Sequence, residues 1–331
     1  MKERARGRRR LNPTLAAGLA LAGALALAAA AAPWLAAADP AHPFDAAAGK
    51  RLPPGASRFV VEFHGGRLPV VAERAERRGG ELVLDRLGRK EALPAAAVAN
   101  LGADGLPPRR TFVLGTDRLG RDLWARLVHG ARVSLAVGLL ATALALTLGV
   151  AVGCAAALGG GAADAVLMRL VDLVLAFPRL FLLIAVVALL QPAGWAIVLV
   201  LGGTAWMVIC RLVRAEILAL KRRDFVTAAR AIGQRPLAIL CRHLLPNAVT
   251  PALVAGGLLV GDVILTEAAL SFLGLGVPEP APTWGKAIAD VWAGPYESWW
   301  VALFPGLAIA LTVIAFNLIA DGLRDTLDVR S

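Results

Sequence analysis

The sequence predicts an all-α protein that crosses a membrane six times, with a small β-rich insertion between its first and second crossings. Three observations predict this. Of 331 residues, 58% are hydrophobic and 18% charged, with a mean hydropathy of +0.66; soluble domains hold roughly 45–50% apolar residues. The apolar residues gather in uncharged runs long enough for bilayer-spanning helices, which need about 20 residues. Residues 39–126 break the pattern, with 15 Lys and Arg and 11 Asp and Glu in a stretch rich in turn residues. This composition excludes a disordered chain, which lacks the apolar surface to offset chain entropy. Three cysteines, Cys154, Cys210 and Cys241, exclude a disulfide scaffold. Without C-x-x-C spacing they read as small buried hydrophobes. The net charge of +11 resembles a nucleic-acid footprint. In a membrane chain it is better explained by orientation and attraction to anionic lipid, so lipid and not nucleic acid is the expected contact.

The first span is expected over residues 14–38. Met1–Leu11 carries one Lys and five Arg against one Glu, and no charge follows until Asp39. A cleaved leader is the rival reading, because Ala36-Ala37-Ala38 imitates a cleavage site. The 24-residue run Leu15–Ala38 exceeds the about 7–15 apolar residues of a leader, so an uncleaved anchor is expected. Residues 1–13 form a basic tail.

The second run is Val133–Ala163, 31 residues without charge, ending at Gly159-Gly160-Gly161. Leu180–Cys210 is equally long, but Gln191-Pro192-Ala193-Gly194 interrupts it with strong turn chemistry. It therefore splits into two spans. The first starts near Ala165 and carries Arg169, Asp172 and Arg179; the second runs from about Trp195 past Cys210. Arg169 and Asp172, at i and i+3, suit a local ion pair. Phe177-Pro178 suits a kink, since proline removes a helix hydrogen bond. Ala248–Leu275 is the fifth span, and Trp299–Ala320 the sixth, with Trp299 and Trp300 placed as interfacial anchors. Six spans put both ends on one side, and the basic start selects the cytoplasm. Arg211–Asn247, with eight Lys and Arg against two acids, then also lies inside. Residues 39–123 lie outside; loops longer than about 60 residues are largely exempt from the charge rule.

In the outer insertion, Arg58–Phe63 and Leu68–Glu73 alternate like strands around Gly65-Gly66, a tight hairpin turn. Glu81–Asp85 suits a third strand. Pro53-Pro54 and Pro107-Pro108 bracket the insertion like linkers. His42 and His64 have no second ligand at close spacing and read as surface histidines. Asp117 suits the cap of a short helix starting near Arg118. That charged stretch either meets a partner subunit or anchors at the interface.

After the fourth span, Asp224-Phe225-Val226-Thr227-Ala228-Ala229-Arg230-Ala231-Ile232-Gly233 and then Arg242-His243-Leu244-Leu245-Pro246-Asn247 read as helix, glycine break, helix. The alanines favour helix, Gly233 can take positive φ, Pro236 suits a first helical turn, and Pro246 is expected to end the second helix. A helix pair of this kind suits docking into a partner's groove.

These residues carry a resemblance. Ala228, Ala229, Gly233, Leu245 and Pro246 fall where the EAA loop of ABC-importer membrane subunits has E-A-A, three residues, Gly, ten more and x-L-P. Thr227 stands in place of the usual glutamate. The block Leu114–Asp122, the block Glu267–Val277 with Thr283-Trp284-Gly285, and the segments Leu303–Gly306 and Asp321–Asp325 resemble the dipeptide, oligopeptide and nickel permeases, most of all the second permease subunit of dipeptide-type importers. The resemblance covers about residues 112–329. It implies a type I importer-like permease fold, with core 124–325, a cytoplasmic tail 326–331 and an ATPase-docking loop 215–247 that uses Thr227, Ala228, Ala229, Gly233, Arg242, His243, Pro246 and Asn247. It also implies a second permease subunit, two cytoplasmic ABC ATPases binding ATP and Mg, and an extracytoplasmic substrate-binding protein. No cofactor is expected on this chain itself: it contains no G-x-x-x-x-G-K-[ST] loop, G-x-S-x-G elbow or H-E-x-x-H pair. No enzyme is expected, and no metal site. The alternative is a stand-alone secondary transporter or channel, which would carry internal repeats; none is visible.

Asp262 and Glu267 lie inside the fifth apolar run, where carboxylates are expensive and point to function. Five residues apart, they face directions about 140° apart on a helix. They are candidates for the pathway or its gate, with Arg179 as a third. The plainer reading is a contact between helices or a pair with a base such as Arg179.

Overall fold

A computed structural model describes residues 12–36, 38–189, 194–291 and 298–328. The basic tail over residues 1–11, residues 191–193 of the turn expected at Gln191-Pro192-Ala193-Gly194, and the last three residues lie outside the described residues. The chain divides into two compact units. One holds Leu135–Leu270 with the chain up to Leu25 and from Ala310; the other holds Ala26–Ser134 and Ser271–Ile309.

The N-terminal run forms α1, Pro13–Ala30, then a single turn, α2, Ala32–Leu35. In the second unit the chain then makes six strands: β1 (Ala56–Val61), β2 (Val70–Ala72), β3 (Arg74–Arg78), β4 (Glu81–Arg86), β5 (Arg89–Pro94) and β6 (Arg109–Phe112). They form two antiparallel sheets, ordered β2-β1-β6 and β3-β4-β5. Alternation decides which side chains enter the core: Leu82 and Leu84 of β4 are fully buried with Val61, Ala72, Ala75 and Val98. Val60, Val71 and Phe112 pack with Phe44 and Leu52 in a second cluster.

The expected hairpin is corrected in one respect. β1 and β2 pair, with Phe59 opposite Ala72 and Val61 opposite Val70, so residues 62–69 form a long loop and Gly65-Gly66 is no two-residue turn. The Pro107-Pro108 bracket is also corrected, because Pro108 accepts a hydrogen bond from Val60 N at 3.0 Å and β6 follows at once as a strand beside β1.

The remaining helices, long and short, are α3 (Leu123–Gly159), α4 (Gly161–Leu175), α5 (Arg179–Leu189), α6 (Gly194–Leu220), α7 (Asp224–Ala231), α8 (Pro236–Ile239), α9 (Leu245–Phe272), α10 (Trp284–Ala289) and α11 (Trp300–Asp328). Among the described residues five helical stretches are long and apolar enough to cross a membrane, and α4 with α5 makes a sixth if the pair counts as one span. The kink expected at Phe177-Pro178 is a bend of 87° between these two helices.

Three further expectations are corrected. The helix that carries the second uncharged run begins at Leu123, ten residues before that run, because Asp122 caps it through Trp124 N at 2.9 Å and the helix tolerates Arg126, His129 and Arg132 in its first turns. No helix starts near Arg118: Asp117 instead accepts from Leu119 N at 2.8 Å and Arg121 N at 2.9 Å, closing a turn in which Gly120 has φ of +78°. Pro246 does not end the helix before the fifth span. Leu240–Leu244 is a π-helical turn joining α8 to α9. That wider turn separates the proline ring from the carbonyl one turn back, which it would strike in a regular α-helix.

In the first unit, α1 lies against α11. A Cβ on Gly18 would meet Ile319 N at 2.7 Å, and one on Gly322 would meet Leu15 N at 2.5 Å. Asn12 Nδ2 donates to Asp325 Oδ2 at 3.0 Å beside this contact. Small residues permit such close approach between helices in lipid, where dispersion replaces the hydrophobic effect as the packing force.

Candidate functional site

The predicted loop folds as a helix, a left-handed glycine and a second helix. Gly233 has φ of +78°. Its N–H donates to Arg230 O at 2.9 Å, and Gln234 N donates to Ala229 O at 3.1 Å. This pair of bonds is a Schellman ending, in which the two residues beyond the helix satisfy its last carbonyls. Val226 and Ala229 on the inner face of α7 are buried with Ile239, Leu240 and Leu244 of the following helix and with Ile209, Val213 and Ile217 of α6. The loop is thus a hairpin packed onto α6.

Each predicted loop residue has a definite place. Thr227, Ala228, Gly233, Arg242, Pro246 and Asn247 are exposed. Ala229 is 6% exposed and packs inward, so it supports the hairpin and is not a contact surface. His243 is half-buried, with Nε2 3.3 Å from Gln234 Oε1, and its backbone carbonyl accepts from Asn247 Nδ2 at 2.6 Å. Its ring lies 6.3 Å from that of Phe225. The sequence reading missed the apolar side chains displayed here. Phe225, Ile232 and Leu237 are 44%, 76% and 65% exposed, beside the exposed Arg222, Arg223, Arg230 and Arg235. Their signal was available in the apolar residues of the hairpin, two in α7 and α8 and one at the end of α7, that fall outside the buried stripe.

The span residues resolve differently. Arg179 Nη1 and Asp262 Oδ2 form an ion pair between α5 and α9. They stand beside a cavity of about 350 Å³ lined by α4, α5, α6 and α9, almost entirely apolar. Glu267, 1% exposed, is buried in α9, and the cavity lining leaves it out. The three candidates therefore do not converge. The expected Arg169–Asp172 pair is corrected: Asp172 pairs with Arg211 of α6. A neighbouring pair went unforeseen, in which Asp164 of α4 takes both Nε and Nη2 of Arg214 at 2.5 and 2.6 Å. Three ion pairs thus tie the bent α4–α5 segment to its neighbours.

In the second unit, charges of both signs are buried together. Asp117 and Asp290 share Arg126. Arg121 donates to Asp117 at 2.6 Å and to Asp290 at 2.8 Å, and Arg118 reaches Asp290 at 2.9 Å. Burial would raise the Asp290 carboxyl, but the charges of Arg126 and Arg121, with hydrogen bonds from Arg126 and Arg118, outweigh it and hold the group below its ordinary range. The same balance lowers Asp45: against burial it accepts hydrogen bonds from the N–H groups of Val71, Ala47 and Ala48 and from Arg86. Trp300, expected as an interfacial anchor, is only 7% exposed and donates to Thr116 O at 3.4 Å, while Trp299 is 56% exposed. His42 and His64 are exposed as expected. Among the described residues no three His, Cys, Asp or Glu side chains are placed to hold a metal ion.

Comparison with known proteins bears on this arrangement. Residues 145–331 match the family described as binding-protein-dependent transport system inner membrane component. A peptide transport system permease protein of Brucella suis is 43% identical over 224 residues, which are 68% of this chain and 75% of that one. The di/tripeptide transport system permease protein DppC of Pseudomonas aeruginosa is 43% identical over 217 residues, 66% of this chain and 72% of its own length. A solved inward-facing structure of the MetNI methionine ABC transporter aligns more loosely, at 20% identity and a TM-score of 0.48 over 60% of this chain and 95% of that one.

Proposed function

This chain belongs to the inner-membrane components of binding-protein-dependent transport systems, and on that premise we propose that it forms half of the translocation pathway of an ATP-driven importer for di- and oligopeptides or related solutes. It is a multi-pass membrane permease, a transport component and not an enzyme. ATP and Mg then belong to two cytoplasmic ABC ATPases, and a second permease subunit completes the pathway as a heterodimer. An extracytoplasmic binding protein delivers the solute. Both termini are cytoplasmic, residues 14–38 are the first span, residues 39–123 lie outside, and 124–325 form the core.

The observation that carries this reading is the hairpin 215–247. A packed helix pair presents Phe225, Ile232 and Leu237 beside four arginines. An exposed apolar patch rimmed by polar residues marks a protein interface. The hairpin is wedged onto α6 through Val226, Ala229 and Leu244, so a push on it from an ATPase reaches a spanning helix. Thr227 offers a hydroxyl where a carboxylate is usual, which leaves this surface more positive.

The test is purification of the tagged full-length chain from its native membrane in mild detergent. Two P-loop ATPases and a second permease should accompany it. A chain that runs alone and still moves solute when reconstituted without ATPases would overturn the reading in favour of a secondary transporter.

A further inference from the structure

We propose that Arg179 and Asp262 together receive the two charged ends of a zwitterionic peptide, with the adjoining apolar cavity holding its side chains. The proposal rests on the importer reading above and names the chemistry that the pathway recognises.

Four observations support it. First, the pair lies deep: Asp262 is ten residues before the end of α9 at Phe272, about 15 Å along the helix, and charged groups at membrane depth are expensive and by default functional. Second, the pair is not closed over by protein. The side chains of Arg179 and Asp262 are 33% and 54% exposed at a cavity lined otherwise by residues such as Phe177, Leu182, Met207 and Leu258. Third, the guanidinium is only partly used. Nη1 is paired to Asp262, whereas Nε and Nη2 are buried and, among the described residues, meet no acceptor. Nε and Nη2 form the side-on edge that grips a carboxylate through two parallel hydrogen bonds. Fourth, the cavity of about 350 Å³ falls within the roughly 300–1,000 Å³ of small-molecule sites.

These features fit one ligand class. Nε and Nη2 are covered as the side chain stands, so a peptide carboxylate satisfies this orphaned edge once the Arg179 side chain turns it toward the cavity, with Nη1 kept within reach of Asp262. The α-ammonium finds Asp262, whose carboxylate has lone pairs beyond the one that Arg179 uses. The apolar lining accepts side chains without reading their sequence, so the shared chemistry of free termini is what the site recognises. A peptide blocked at either end forfeits one of these two contacts, and a site built to hydrogen-bond a ligand group discriminates against the analogue that lacks it.

The experiment uses the complete importer, with its binding protein, in proteoliposomes and follows initial uptake of radiolabelled Ala-Phe per assembled complex. Assembly is scored by co-purified ATPase. Arg179→Lys, which keeps the charge but loses the fork, and Asp262→Asn should each lower uptake about tenfold or more, the size expected for a lost charge-assisted contact. The double variant R179D/D262R restores an ion pair with its polarity reversed, and it should remain defective. Uptake at the wild-type level in both single variants would overturn the proposal. So would full recovery in the double variant, because the pair would then be structural. Should the double variant fail to assemble, Arg179→Lys decides alone. A wild-type complex that moves no peptide sinks the peptide-importer reading itself, which separates that failure from this one.

Discussion

Gly18 of α1 and Ile319 of α11 touch backbone to backbone, so closely that a Cβ at position 18 would lie 2.7 Å from Ile319 N. The reciprocal notch at Gly322 receives Leu15 of α1. The first helix is therefore fitted to the last by two gaps that only glycine leaves.

Gly18→Val should accordingly destabilise the chain by about 1–3 kcal/mol, the usual cost of overpacking. Thermal melting of the purified full-length chain in detergent checks this, with Gly23→Val as the control, since a Cβ at Gly23 meets nothing within 4 Å. The same fit predicts that α1 stays on the mature protein. N-terminal sequencing that starts near Asp39 would contradict it.

Gly233→Val should strain the ATPase-facing hairpin. A β-branched residue at φ of +78° costs roughly 1–2 kcal/mol, and the Schellman bonds of Gly233 and Gln234 depend on that conformation. Uptake by the assembled importer should fall, while Gly233→Asn, which tolerates the left-handed region, should keep most of it. Equal uptake in all three proteins would remove the hairpin from the coupling path.

Arg126 is 2% exposed and shared by Asp117 and Asp290. Arg126→Met leaves two buried carboxylates short of a partner and should cost about 3–5 kcal/mol, read as a lowered melting temperature.

The acid side of the stability profile follows from Asp45 and Asp290. Both have folded pKa values held below the ordinary 3.8. A depressed carboxylate stabilises the fold fully above its unfolded pKa and loses that contribution as pH falls through the folded value. Stability of the second unit should thus be flat with respect to these two groups at neutral pH and fall below about pH 4. Asp45→Asn should flatten part of the fall, which pH-dependent melts can measure.

Arg214→Lys tests the tie between α4 and α6. The two hydrogen bonds to Asp164 at 2.5 and 2.6 Å need the planar fork, which an ammonium cannot reproduce. With the pair partly exposed, the loss should stay near 1 kcal/mol. Faster proteolysis at the Phe177-Pro178 bend would report it.

Local chemistry made the hairpin legible in the sequence. Gly233, Pro236 and the alanine-rich turn before them each constrain only their own neighbours, and the expected helix, break and helix match α7, the Gly233 turn and the helix from Pro236. Pro246 was misread for the same reason: a proline ends a helix by its local rule, and only the π turn over Leu240–Leu244 removes the clash. The strands β3, β5 and β6 were not foreseen, since Arg74–Arg78 and Arg89–Pro94 are largely charged and exposed and gain their strand form by pairing with β4.

The sequence by itself determined that this chain is helical and membrane-spanning, where its uncharged runs lie, and that a basic hairpin follows the third of them. Each of these depends on run length, periodicity or a turn residue, all of which act over a few positions. Only the tertiary structure decided which charges meet. Asp172 finds Arg211 39 residues away, Arg179 finds Asp262 83 residues away, and Arg126 finds Asp290 164 residues away. An ion pair forms where packed helices bring two side chains within contact distance, and no local pattern in either segment encodes that distance.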